Sequence, residues 1–313
     1  MKKWMNISLL FFFLLLSLTV GAENLFTDFS RRQVLILLES RLPRTLAILL
    51  AGSSMAIAGS MMQTLSQNRF AGPSTTGTLE GAKLGVLLVM WLLPQTGQFG
   101  KVMGGFTMAY LITQSFFLIL KYVPQSKVWD LPLFGTLFGQ VIGAVAASIA
   151  YHFDLVQSMA SWQQANFSQI QAGTYEWLWL LIPIMLIAYK LQDDLAVMLL
   201  GKTTALSLGL QYMRLSRLVT GLIALIVALN VMAICVLPFV GVIVPNIVRF
   251  FYGDRVRQTF FHTLLAGANL VFFCDILGRI LIRPYELPVG LLISVFGGLL
   301  FLELIFGAKE AAR

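Results

Sequence analysis

Residues 41–73 read RLPRTLAILLAGSSMAIAGSMMQTLSQNRFAGP, and the middle of that stretch decides the fold. From Thr45 to Leu65 no side chain carries a charge. About 20 such residues in helical form cross the ~30 Å hydrocarbon core of a bilayer. The run is also unusually small-sided, with AGSSMAIAG at 51–59. Small faces let helix backbones approach closely, so this segment predicts a membrane helix packed against others.

Outward from that helix the pattern recurs. Of 313 residues, 58% are hydrophobic and 12% charged, whereas a soluble domain carries about 25% charge. The composition describes an all-α polytopic membrane protein. About ten spans are predicted, near 5–22, 45–65, 79–94, 99–121, 131–153, 175–190, 214–236, 240–252, 260–281 and 288–307. The eighth is short, and FVGVIVPNIVRFF suggests a broken helix, which is tolerated at membrane depth only inside protein or beside water. GQVIGAVAASIA at 139–150 is a second small-residue stretch. Residues 154–174 are polar and read as a surface loop, with Trp162 and Phe167 as anchors of a short interfacial helix.

The first apolar run, MKKWMNISLLFFFLLLSLTVGA, fits either a signal peptide or a short first helix. With Lys2 and Lys3 inside, most of the 22 Lys and Arg residues fall in segments on that same side, which puts both termini inside. A net charge of +8 would suggest nucleic acid in a soluble protein; here its distribution across the membrane explains it. Arg41, Arg44 and Arg279 lie on the outer side and need a separate reason.

No catalytic set emerges. His152 and His262 have no liganding neighbours in sequence, and Cys235 and Cys274 sit in apolar stretches without a CxxC pattern. Ser53 and Ser54 read as packing residues, and neither HExxH nor GxSxG occurs. GKTT at 201–204 imitates the end of a phosphate loop, but the required earlier glycine is Ala196. The polar island around it, 190–217, reads as short amphipathic helices with turns at Gly201 and Gly209, an ordinary loop or a ridge gripped by a soluble partner. Glu80 and Lys83 share a helix face, as do Asp275 and Arg279. Each pair fits a structural or a pathway role.

Four segments in register resemble one family. RLPRTLAILLAGSSMAIAGSMMQTLSQNRFAGP, LLGKTTALSLGL at 199–210, FVGVIVPNIVRFFYGD at 239–254 and CDILGRILIRPYELPVG at 274–290 are similar to signatures of the permease subunits of bacterial ABC importers for iron–siderophore complexes, haem and vitamin B12. The resemblance implies the type II importer fold as one domain over 1–313 with ten helices, a retained first helix and both termini cytoplasmic. It implies a second permease subunit, identical or homologous, two ATP-binding subunits, and a periplasmic or lipoprotein siderophore-binding protein. ATP hydrolysis would belong to the partners, and the chain would hold no cofactor or metal of its own and bind no nucleic acid.

Carried onto this sequence, the resemblance makes Arg41, Arg44 and Arg279 the docking residues for the binding protein. Within the cytoplasmic coupling segment, 190–217, it makes Leu199, Leu200, Gly201, Lys202, Ala205, Leu206, Leu208 and Gly209 the ATPase-coupling contacts. Departures from the family pattern are Arg69 in place of a proline, GTLEGAKLG at 77–85 with its Glu80 and Lys83, Asn246 in place of a histidine, and ANFSQIQAGTYEW at 165–177. They resemble the branch for ferric catecholate or mixed-ligand siderophores. Glu80, Lys83, Asn246 and Asp275 remain candidates for pathway or structural polar residues. An ion-gradient-driven transporter is the competing reading; it predicts two halves with related hydropathy and corresponding interrupted helices, and no such repeat is evident.

Overall fold

The computed structural model describes residues 2–20, 31–123, 129–162, 165–253, 256–282 and 285–310. Its helices are α1 Lys2–Thr19, α2 Arg31–Ile36, α3 Leu42–Ser66, α4 Thr78–Leu92, α5 Gln98–Leu120, α6 Asp130–His152 and α7 Val156–Ser161, followed by α8 Leu181–Lys190, α9 Gln192–Met198, α10 Lys202–Ser207, α11 Tyr212–Ile234, α12 Val240–Tyr252, α13 Val256–Leu281 and α14 Val289–Glu310. A helix lies in each of the ten predicted spans. Five helical stretches are long and apolar enough to cross a bilayer: Val34–Ser66, Gln98–Leu120, Asp130–His152, Tyr212–Ile234 and Val256–Leu281.

The small-sided α3 is the axis of the bundle, with α11, α12 and α13 packed around it. Backbones touch at two places. A Cβ on Gly52 would lie 2.7 Å from Gly267 O of α13, and one on Gly59 would lie 1.8 Å from Gly241 O of α12. Only glycine permits either approach. Short polar side chains add cross-helix bonds: Asn230 Nδ2 donates to Ser54 Oγ at 3.1 Å and Ser53 Oγ to Leu264 O at 3.1 Å. The two serines are packing residues, as their setting in the sequence suggests. Hydrogen bonds of this kind join membrane helices where apolar burial supplies little drive.

Three details differ from the sequence reading. Phe167, expected at an interface, is completely buried, because the short 3₁₀ turn Phe167–Gln169 folds it into the core against α3. The sixth span begins as a 3₁₀ stretch, Glu176–Leu180, before α8. The eighth is α12, which runs unbroken through Pro245 where FVGVIVPNIVRFF suggests a break; the irregular backbone lies before it, with Phe239 at φ +60°. His262 is also buried, stacked on Tyr252 with ring centroids 3.8 Å apart.

Candidate functional site

The predicted residues gather in three places: one at each end of the bundle and one near its middle. At the end where α3 begins, the charges satisfy one another. Asp275, fully buried on α13, accepts from Arg44 Nη2 at 2.7 Å and from Arg44 Nε at 3.2 Å. Its other oxygen accepts from Arg279 Nη2, one helical turn along α13. Arg44 Nη1 reaches Glu286 Oε2 at 2.8 Å in the segment leading to α14.

One further donor each from Arg41 and Arg279 closes off α1. Arg41 Nη1 donates to Leu18 O at 2.7 Å and Thr19 O at 3.1 Å. Arg279 Nη1 donates to Ser17 O at 3.0 Å and Val20 O at 2.9 Å. The last carbonyls of a helix lack intrahelical donors, and cations there also suit the helix dipole. Arg41 and Arg279 are 7% and 6% exposed, so the three arginines expected on a docking rim are largely engaged inside the chain. Asp275, a candidate for a pathway group, is the hub that joins α3 to α13 here.

At the opposite end of α3, the island at 190–217 folds as α9 and α10 with turns at Gly201 (φ +94°) and Gly209 (φ +80°). Leu200, Leu206 and Leu208 are 60%, 51% and 62% exposed. Lys202 is exposed beside them, Leu199 and Gly201 are half-buried and Gly209 is exposed. Ala205 is completely buried, so it supports the ridge from beneath.

A residue that the sequence reading missed ties this ridge to the membrane helices. Gln67 ends α3 in a left-handed conformation (φ +53°) and its Nε2 donates to Met198 O at 2.8 Å, at the end of α9. The signal available in sequence was a glutamine at the end of a charge-free run, which has no distinctive spacing. Asn246 works nearby: its Nδ2 donates to Val242 O at 2.7 Å and to Arg69 O at 2.8 Å. It thereby fastens the segment after Gln67 to α12.

Near the middle, Lys83 Nζ donates to Glu80 Oε1 at 2.7 Å on α4. Glu80 sits where α4 packs on α6, beside Gly139 and Gly143. Among the described residues no three His, Cys, Asp or Glu side chains group as metal ligands.

The described chain is thus a glycine-jointed helical bundle with two short helices, α9 and α10, at one end. The profile of the FecCD transport family matches residues 4–307. The chain belongs to the FecCD transport family. Among curated relatives, this FecCD permease is 37% identical over 300 residues to the petrobactin import system permease protein YclN of Bacillus subtilis (strain 168), covering 95% of each chain. It is 35% identical to the ferric-anguibactin transport system permease protein FatD of Vibrio anguillarum (strain ATCC 68554 / 775), covering 94% of this chain and 95% of the other. Its fold is similar to that of a solved chain described as an inward-facing conformation of a proposed metal-chelate type ABC transporter. That likeness has a TM-score of 0.78 at 22% identity and covers 97% of this chain and 98% of the other.

Proposed function

We propose that this chain is the permease subunit of an ATP-driven importer that carries a ferric siderophore across the cytoplasmic membrane by alternating access. The observation that carries the reading is the exposed leucine ridge at 200–208 on a FecCD-family chain. Leu206 on α10 and Leu200 and Leu208 at its two flanks are each more than half exposed, and so offer apolar surface to a partner. An ATP-binding subunit gripping that ridge would move α9, and through Gln67 and Asn246 it would move α3 and α12.

In this reading the permease has ten spans, with the five shorter helices completing the bundle. The ridge and both termini face the cytoplasm. Two permease subunits, two ATP-binding subunits and a siderophore-binding protein make up the importer. The binding protein would dock at the Arg44 end, where Arg44 is the nearest of the three arginines to the surface and Arg41 and Arg279 mainly hold α1. The names of the relatives, petrobactin and ferric-anguibactin systems among them, support an iron chelate as cargo, and the sequence's resemblance to the catecholate or mixed-ligand branch narrows the proposal to that kind.

The test is uptake of iron-55 siderophore complexes into vesicles holding the reconstituted importer. Uptake should require ATP and the ATP-binding subunits. Uptake that continues without them and follows a proton or sodium gradient would sink the proposal.

A further inference from the structure

The intramembrane pair on α4 is not explained by packing alone. α6 runs for 23 residues, Asp130–His152, about 35 Å at 1.5 Å per residue, close to the hydrocarbon thickness. Its midpoint falls between Gly139 and Gly143. A Cβ on Gly143 would lie 3.3 Å from Glu80 Oε2, and one on Gly139 would lie 3.8 Å from Glu80 Cγ. The Glu80 carboxylate therefore rests in a notch at mid-depth of α6, the most costly level for a charge.

The two sides of that notch differ. At 100° per residue, Phe138, Ile142 and Ile149 fall on one side, and they pack with Leu84, Leu87 and Ile112 into a closed apolar cluster. Thr136, Gln140, Ala147 and Tyr151 fall on the other side, and all four are exposed. Glu80 keeps 26% of its side chain exposed, whereas Lys83 behind it keeps 11%. Oε1 is held by Lys83, and Oε2 makes no hydrogen bond among the described residues. The chain thus presents a carboxylate oxygen and an amide at mid-membrane, on a strip next to the apolar face of Leu137, Val141 and Val145. Lipid does not satisfy such groups.

We propose that Glu80, oriented by Lys83, faces a water-filled route along α4 and α6 and is a specificity-determining contact for the passing chelate. The exposed member of the pair is the acceptor, and a carboxylate offers only acceptor sites. It selects chelates that carry a protonated amine or other N–H donor and disfavours those that present a carboxylate at that point. The identity of the cargo rests on the importer reading above; the water-filled route does not.

The experiment uses the full chain in its importer complex, in membrane vesicles, with Cys235→Ser and Cys274→Ala to remove the native thiols. Single cysteines are then placed by Glu80→Cys, Gln140→Cys, Leu84→Cys and Val141→Cys. The probe is a permanently cationic methanethiosulfonate, which needs water around it and a thiolate to attack it. Glu80→Cys and Gln140→Cys should react at least about tenfold faster than Leu84→Cys in the apolar cluster and Val141→Cys on the lipid-like face. Equal, slow reaction at all four positions would mean a dry contact with a second copy or with lipid, and would overturn the proposal.

Selectivity is read from a matched pair of ferric tris-catecholates, one with a free amine arm and one with that arm acetylated. Glu80→Gln should lower the uptake ratio of amine to acetylated complex by about tenfold. The charge swap Glu80→Lys with Lys83→Glu keeps a pair but exposes a cation, and should invert the preference. An unchanged ratio in the swap would leave the pair as a structural element only and overturn the specificity role. Uptake driven by an ion gradient alone would sink the importer reading while leaving the labelling result standing. Unreactive Glu80→Cys in an ATP-driven importer would sink only the site.

Discussion

The two ends of the bundle handle their unusual side chains in opposite ways. At the Arg44 end, charges that look in sequence like an open rim turn inward: Asp275 joins Arg44 to Arg279, while Arg41 and Arg279 cap α1. At the ridge end, the leucines that the sequence offers as contacts for a partner do turn outward at 200, 206 and 208. Charge at the first end fastens helices of the same chain, and apolar side chains at the second are left exposed. The contrast teaches that residue type alone does not say which end meets a partner. What each side chain already touches does.

The largest expected effect is at the hub. Asp275→Ala leaves two guanidinium groups without their shared carboxylate in a buried site, where breaking a pair costs about 3–5 kcal/mol. The thermal midpoint of the purified permease in detergent should fall sharply and the folded yield drop. An unchanged midpoint would mean that the charges at this end are solvated, and the comparison between the ends would lose one side.

The next effect belongs to the ridge and should have the opposite signature. Leu206→Asp puts a charge on a side chain that is 51% exposed in the chain, so the thermal midpoint should hold. Burying that charge against an ATP-binding subunit is costly, so association measured by pull-down or surface plasmon resonance should weaken by at least about tenfold, a difference of 1.4 kcal/mol. A fully assembled, fully active complex would remove Leu206 from the contact.

A smaller effect tests the link between the ridge and α3. Gln67→Ala removes the donor to Met198 O, worth about 0.5–1.5 kcal/mol net. If the link transmits movement, ATP hydrolysis should continue while substrate uptake per ATP falls. Equal losses in both rates would make Gln67 a stability residue.

The sequence made the helices and several joints legible because their signals are local. A charge-free run of apolar residues specifies a span wherever it sits, and Gly52 and Gly59 announce close packing before their partners Gly267 and Gly241 are known. The turns at Gly201 and Gly209 were legible for the same reason. The arginine hub was not, because Arg44 and Asp275 are far apart in the chain and their pairing depends on how α3 leans on α13. Phe167 misled for a related reason: an aromatic in a polar loop has the composition of an interfacial anchor, and only the fold of the 3₁₀ turn turns it inward. Glu80 and Lys83 were visible as a pair at helical spacing, but the greater exposure of Glu80 depends on how α4 packs on α6 at Gly139 and Gly143.

The smallest expected effect concerns Glu286, where the charge network of Arg44 comes near the surface. Glu286 keeps 31% of its side chain exposed and Arg44 11%. An ion pair so placed contributes about 0.2–1 kcal/mol, so Glu286→Gln should leave the fold intact. It should, however, free one face of Arg44 from an internal carboxylate. If a binding protein docks there through its own carboxylates, the variant should bind it a few-fold more tightly at low ionic strength. The gain should shrink as salt rises toward 1 M, where the Debye length falls to about 3 Å. Charge reversal at the buried Arg41 or Arg279 should act differently, lowering folded yield at any salt. Docking affinity that is insensitive to both Glu286 and salt would mean that this end serves the chain's own helices alone, and the contrast between the two ends would then be complete.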